Sequence, residues 1–326
     1  DLHSFPTRRS SDLKRLDQDG ALSVQGNATL NLADALSNSG NIVSQRLQID
    51  TAALKNSGEM VSNGDAVVNA DTLQQNGSIT ARGDAQMTAR GWLENQGAIS
   101  SQNALILNSA ELRNSGSLTA PELTLNAAQI SNGGLLQGNR LLSIRATQLD
   151  NLAAGTISSD NDFTLGLPQL SNSGLITSGK TLLLSGDQLN NRGEINAASL
   201  SSTFRRVSNQ PSGKLLADDQ IRLQGDALNN QGTVAAGAVN SDVSLLENSG
   251  TLQGNRALSL QGSGLTNSGT LLSAGQLSVK QQTLDNSGLL QGKQLTVQTS
   301  RWQNSGNALS ETDADLQSST LENSGK

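Results

Sequence analysis

Apolar and polar positions along the chain keep a fixed phase. An aliphatic residue stands two positions after a recurring glycine, at Ile42, Met60, Ile79, Ile99, Leu118, Leu136, Ile157, Ile176 and Ile195. Two more follow in alternation: Leu47 and Ile49, Ala66 and Val68, Ala104 and Ile106, Leu123 and Leu125, Leu182 and Leu184. Five residues beyond that pair comes another, as Leu54, Leu73, Ile130 and Leu189. A spacing of two is the period of a β-strand, and no stretch offers the i, i+3, i+4, i+7 stripe of a useful helix. Each repeat therefore predicts three short strands separated by turns.

The glycine closes an Asn-Ser-Gly triplet or a relative of it. It recurs at 40, 58, 77, 97, 116, 134, 155, 174, 193, 213, 232, 250, 269, 288, 306 and 325, a mean spacing of 19.0 residues, and Gly20 looks like a diverged earlier copy. The glycine is expected to supply the positive φ of a tight turn. The preceding Asn can bond its own backbone. A second turn is predicted at Asn63-Gly64-Asp65, Arg82-Gly83-Asp84, Gly138-Asn139-Arg140 and Gly254-Asn255-Arg256, and small differences in repeat length fall there.

One such repeat buries too few side chains to offset the entropy of ordering its backbone. Stability must come from stacking, each coil pairing its strands with the coils on either side. The fold class predicted is all-β, a parallel β-helix or solenoid of about 16 coils of ~19 residues, with Leu and Ile in interior files and Asn in amide ladders. At about 4.8 Å per coil the expected length is on the order of 75 Å. No composition break divides residues 14–326, which read as one domain.

Several repeats depart from the pattern. Residues 151–155 and 209–213 each carry two extra residues, and Pro211, which cannot donate to a ladder, is placed in a bulging corner. Phe163 and Trp302 fall on inward positions and read as core fillers. Ser202 and Ser241 also fall inward and are expected to mark weak coils. Trp92 precedes the inward Leu93 and is expected to point outward.

Composition narrows the function. Apolar residues make up 34% of the 326, nearly all aliphatic, and charged residues only 15%. A net charge of −6 argues against a nucleic-acid partner, which calls for a basic face. No apolar run is long enough for a membrane-spanning helix. There are no cysteines, which removes disulfides, thiolate metal sites and cysteine nucleophiles. The single histidine, His3, leaves almost no imidazole chemistry. Catalytic, cofactor-binding and metal residues are accordingly none, and an enzyme is not expected. Residues 1–13 match the translation of a common short-read sequencing adapter. They are expected to be disordered and are set outside the fold.

The motif Leu-x-Asn-Ser-Gly-x-Leu, seen as Leu-Lys-Asn-Ser-Gly-Glu-Met at 54–60, Leu-Arg-Asn-Ser-Gly-Ser-Leu at 112–118 and Leu-Thr-Asn-Ser-Gly-Thr-Leu at 265–271, resembles the haemagglutinin repeats of filamentous haemagglutinin. It is similar also to the shafts of contact-dependent growth-inhibition exoproteins and other two-partner-secreted adhesins. The resemblance covers essentially 14–326. It implies a right-handed β-helical shaft of a Gram-negative surface protein, secreted through an outer-membrane two-partner secretion transporter and facing a host or target-cell surface receptor. Lack of cysteine fits export of an unfolded chain. The chain stops at the opening of another coil and reads as a fragment of a longer one.

Three groups of residues offer candidate chemistry. Arg82-Gly83-Asp84 matches the tripeptide that integrins recognise, but Gly64-Asp65 holds the same place one coil earlier, so turn formation explains it. Asp160, Asp162, Asp218 and Asp219 are the carboxylates a β-helical polysaccharide-binding or polysaccharide-degrading protein would need. The two groups lie about three coils apart, too far for one hydrolytic centre, and Asp160-Asn161-Asp162 reads as a solvated turn. Arg205-Arg206 is read as a solvated edge.

Overall fold

The computed structural model describes residues 13–326, so the adapter-like segment, apart from Leu13, and His3 lie outside the described residues. The chain forms two compact units, one ending at Ala146 and one spanning Thr147–Lys326. Each is a β-solenoid of parallel strands, with no helix among the described residues, and together they make about 16 coils of ~19 residues.

In the first coils of the first unit the three strands of a coil are distinct, as in Ala35–Asn38, Asn41–Ser44 and Arg46–Asp50. They pair in register with Ala53–Asn56, Glu59–Ser62 and Ala66–Gln75 of the next coil. Elsewhere the corners join the ladder, and single strands run nearly the whole coil, as Ser117–Asn132 does in the first unit and Leu175–Asn191 and Lys214–Asn230 do in the second. The second unit itself opens on short strands such as Gln148–Asn151 and Thr156–Ser159. The bend at the repeat glycine persists throughout.

Register turns the sequence phase into interior files. In the first unit Ile42, Met60, Ile79, Ile99 and Leu118 form one file, each in register with the next. Leu36, Leu54, Leu73, Leu93 and Leu112 form another, and all are buried. In the second unit Ile157, Ile176, Ile195, Leu215 and Val234 continue the same design. Dispersion and desolvation act along these files, because each side chain meets its equivalents above and below.

One expected pair is out of phase. Ile106 is 37% exposed, and the buried pair in that coil is Leu105 and Leu107. Leu112 lies five residues beyond Leu107, so the phase kept elsewhere selects 105 and 107. A slip of one residue exchanges the two faces of a strand.

The glycine acts by a different cause from the one predicted. Among the described residues only Gly186 has a positive φ, and it is not a repeat glycine. The requirement at the repeat glycines is close approach. A Cβ on Gly58 would stand 2.1 Å from the Gly40 carbonyl oxygen, and one on Gly77 2.0 Å from that of Gly58. The backbones meet there because the Asn38 carbonyl accepts from both Ser57 N (2.8 Å) and Gly58 N (3.1 Å), while the Gly40 carbonyl accepts from Glu59 N (2.9 Å).

The second corner absorbs one-residue differences in length. It is an open bend at Asn63-Gly64 and Arg82-Gly83. At Gly138 and Gly254 it lies within a strand, and the extra residues appear as register shifts opposite Ala120/Glu122 and Ala236/Ala238. The two enlarged repeats close tight turns, with Gly155 N bonded to Leu152 O and Gly213 N to Gln210 O, each at 2.8 Å. Pro211 sits at the tip of the second, as expected. Phe163 and Trp302 are buried and Trp92 is 38% exposed, also as expected.

The second unit holds a file that the nineteen-residue reading misses. Leu167, Gly186, Phe204, Gly225, Val243, Gly262 and Gln281 occupy successive coils at one corner, so bulky residues and glycines alternate. A Cβ on Gly186 would lie 2.7 Å from the Phe204 ring, and one on Gly262 2.0 Å from Val243 O. Over the five coils from Gly186 to Gly262 the volume two residues earlier runs the other way: Leu184 precedes Gly186, Leu223 precedes Gly225 and Leu260 precedes Gly262, whereas Ser202 precedes Phe204 and Ser241 precedes Val243. At the ends of the file, Leu165 before Leu167 and Val279 before Gln281 keep bulk at both positions. The inward serines are thus matched by the side chains beside them, although the Oγ atoms of Ser202 and Ser241 have no hydrogen-bond partner.

Candidate functional site

Most polar side chains buried in the core belong to the solenoid itself. The Asn that precedes each Ser-Gly pair points inward, and its Nδ2 donates to the Oδ1 of the Asn one coil on. In the second unit this ladder runs without interruption from Asn151 through Asn172, Asn191, Asn209, Asn230, Asn248, Asn267, Asn286 and Asn304 to Asn323, at 2.7–2.9 Å per step. Each amide also donates to the carbonyl of its own turn, as Asn172 does to Gly174 O at 3.2 Å. Burial of these amides is tolerated because their hydrogen bonds are met along the axis.

Aspartates cap the second corner. Asp65 accepts from Asp84 N at 3.1 Å, Asp84 from Ala104 N at 3.3 Å, and Asp162 from Thr181 N at 2.7 Å. At Asp65 and Asp162 these bonds stabilise the ionised form. The backbone N–H of Asp84, with help from Arg46, holds the Asp65 carboxyl below the usual carboxylate range. The Thr181 N–H does the same for Asp162. The carboxylate of the Arg82-Gly83-Asp84 triplet thus fastens the corner of the next coil, and Gly83 is fixed by its neighbour, since a Cβ there would meet Asp65 Oδ1 at 2.3 Å. The sequence signal for this role was the Gly-Asp or Asn-Asp pair repeated at the corner.

The candidate catalytic carboxylates do not converge. Asp160 and Asp162 are exposed at a bend, and Asp218 and Asp219 are exposed at a register shift. Phe163, Leu182, Leu200 and Ile221 stand in register, which sets the two groups three coils apart, or roughly 14 Å. Asp219 is engaged elsewhere. Arg256 reaches over Gly237, in the intervening coil, to donate to Asp219 Oδ1 at 2.6 Å. Arg205 lies between Asp226, at 3.1 Å, and Asp187, at 4.0 Å. All are solvent-exposed ion pairs, worth at most about 1 kcal/mol each.

A shallow polar trough runs beside the Asn ladder, lined by Thr266, Asp285, Gln303 and Glu322. Asp285 and Glu322 are two coils apart through Gln303, roughly 10 Å, at the outer limit of about 9.5 Å for paired hydrolytic carboxylates. Gln303 fills the interval and donates to Glu322 at 2.9 Å. Among the described residues, no three His, Asp or Glu side chains gather as a metal would require, and no helix is long and apolar enough to cross a membrane.

Six stretches of the chain, residues 10–58, 61–139, 122–203, 192–243, 234–291 and 275–325, match the family model of the haemagglutinin repeat. These cover nearly the whole sequence, and the chain belongs to the haemagglutinin-repeat family. No curated protein and no solved structure matches it.

Proposed function

We propose that the chain is a stiff, chemically inert length of a secreted, surface-displayed exoprotein of the adhesin or contact-dependent growth-inhibition kind. It holds binding or toxic regions away from the cell. The observation that supports this reading is the regularity of each unit: the same inward files and the same amide ladder recur coil after coil, and departures are confined to corners. Such a solenoid resists bending because deformation must break backbone and side-chain ladders together. The partners proposed are an outer-membrane two-partner secretion transporter during export and a host or target-cell surface receptor afterwards. The absence of cysteine fits passage as an unfolded chain, with no disulfide to form beforehand.

The test is export. Placed behind a two-partner secretion domain and co-expressed with its transporter, the chain is expected to reach the cell surface and to appear as an elongated particle in electron micrographs. Retention in the periplasm, or a round particle, would overturn the proposal. Incubation of the exported chain with polyuronides is expected to leave the polymers uncut.

A further inference from the structure

Three Asn-Gly peptides occur in the sequence, at Asn63-Gly64, Asn76-Gly77 and Asn132-Gly133. Such peptides are chemically labile, because glycine places no side chain in the way when its backbone nitrogen turns on the Asn carboxamide. The three are held very differently. Gly77 N donates to Asn56 O at 3.1 Å and Gly133 N to Asn114 O at 2.7 Å, so both nitrogens are tied into the stack. Asn132 is also fully buried. Gly64 lies in the bend of the second corner, and its N–H makes no backbone hydrogen bond, whereas its carbonyl accepts from Gly83 N at 2.9 Å. Asn63 is exposed, and so is Asn76. The distinction between these two is therefore the state of the glycine N–H, not access to solvent.

We propose that Asn63 is a site of spontaneous deamidation in the folded protein. The deprotonated Gly64 nitrogen attacks Asn63 Cγ. A C–N bond forms, the Cγ–Nδ2 bond breaks and ammonia leaves, giving a succinimide. Water then opens the ring at either carbonyl, to aspartate or to isoaspartate. The net change is uptake of one water and release of one ammonia, with no oxidation. The product sets a second carboxylate beside Asp65, which already binds Arg46. The isoaspartate form also lengthens the backbone at a corner where Gly64 O is fixed to the next coil. Gly64 cannot readily be exchanged to prevent this, since a Cβ there would meet Gln45 O at 2.8 Å. The site is thus built into the turn.

The experiment is a time course of the full chain at neutral and mildly alkaline pH, followed by tryptic mapping. One peptide, residues 56–82, carries both Asn63 and Asn76, and fragment ions separate them. The expected result is a gain of about one dalton at Asn63 that accelerates with pH. Asn76 should convert roughly tenfold more slowly or less, because its glycine N–H must first leave the ladder. In urea the two rates should approach each other. Equal rates at Asn63 and Asn76 in the folded chain would overturn the proposal, as would conversion at Asn63 no faster than at the buried Asn132.

Discussion

Gln75 accepts a hydrogen bond from Asn56 at 2.8 Å but gives none to Asn95, whose buried Oδ1 has no partner. Its Nε2 turns instead to Ala98 O at 3.2 Å. The additional methylene carries the amide past the position at which every Asn in the ladder meets the next. Gln18 fails in the same way below Asn38: Gln18 Nε2 and Asn38 Oδ1 are both buried and unpartnered.

Gln75→Asn is therefore expected to stabilise the first unit by about 1 kcal/mol, by restoring one hydrogen bond and satisfying a buried acceptor. A rise in the urea midpoint with unchanged slope is the measurement. The reverse change in the second unit, Asn209→Gln, should lower the midpoint by a similar amount.

Substitution at the repeat glycines should be costly where backbones touch. Gly58→Ala places a Cβ 2.1 Å from the Gly40 oxygen, whereas Gly26→Ala meets nothing within 4 Å. The first is expected to destabilise by roughly 1–3 kcal/mol or more, and the second to stay within about 0.5 kcal/mol of the parent. Thermal melts of the two variants separate close approach from a general intolerance of side chains in turns.

The matched volumes at Ser202 and Phe204 predict non-additive behaviour. Phe204→Ala should cost about 3–5 kcal/mol as a cavity opens over Gly186. Ser202→Leu alone should overpack the coil. Together they should recover part of the loss, since a Leu and a small corner residue is the combination used at Leu184 and Gly186. Ser202→Ala removes an unpartnered hydroxyl and is expected to be neutral or mildly stabilising.

Acid should loosen the second corner. The carboxyls of Asp65 and Asp162 titrate lower in the folded chain than in the unfolded one. Their contribution is thus complete above the ordinary aspartate range and disappears as pH falls through the depressed folded values. Asp162→Asn should flatten the decline of stability with acidity on that side. NMR titration of the two carboxyls checks the direction of the shift.

Asp84→Glu bears on the integrin-like triplet. Its carboxylate serves Ala104 N in the adjacent coil, so attachment of integrin-bearing cells is expected to be unchanged. Abolished attachment would assign the triplet a receptor.

Much of this architecture was legible in the residues. The glycine phase gave the coil length, the spacing of two gave the strands, and Asn ahead of Ser-Gly announced the ladder. Three features escaped for physical reasons. Leu105, Ile106 and Leu107 are all aliphatic, so alternation alone could not choose the inward face, and only the distance to Leu112 does. The corner file was hidden because its bulky members, Leu167, Phe204, Val243 and Gln281, differ in size and polarity and recur only in every second coil. Close approach at the repeat glycines cannot be told in the sequence from a demand for positive φ, since both require the same residue. Of the candidate carboxylates, Asp162 caps a turn and Asp219 pairs with Arg256, roles that depend on which backbone N–H or guanidinium another coil presents.

The alternation of bulk at that corner restricts how such a gene can grow or shrink. Unequal crossing-over that excised residues 213–231 would bring Phe204 directly against Val243, with no hollow to receive either. Loss of 213–249 would set Phe204 against Gly262 and leave the packing rule intact. In this half of the molecule recombination should leave survivors that differ by even numbers of turns, so the spread of lengths among natural variants is expected to be quantised in steps near 38 residues.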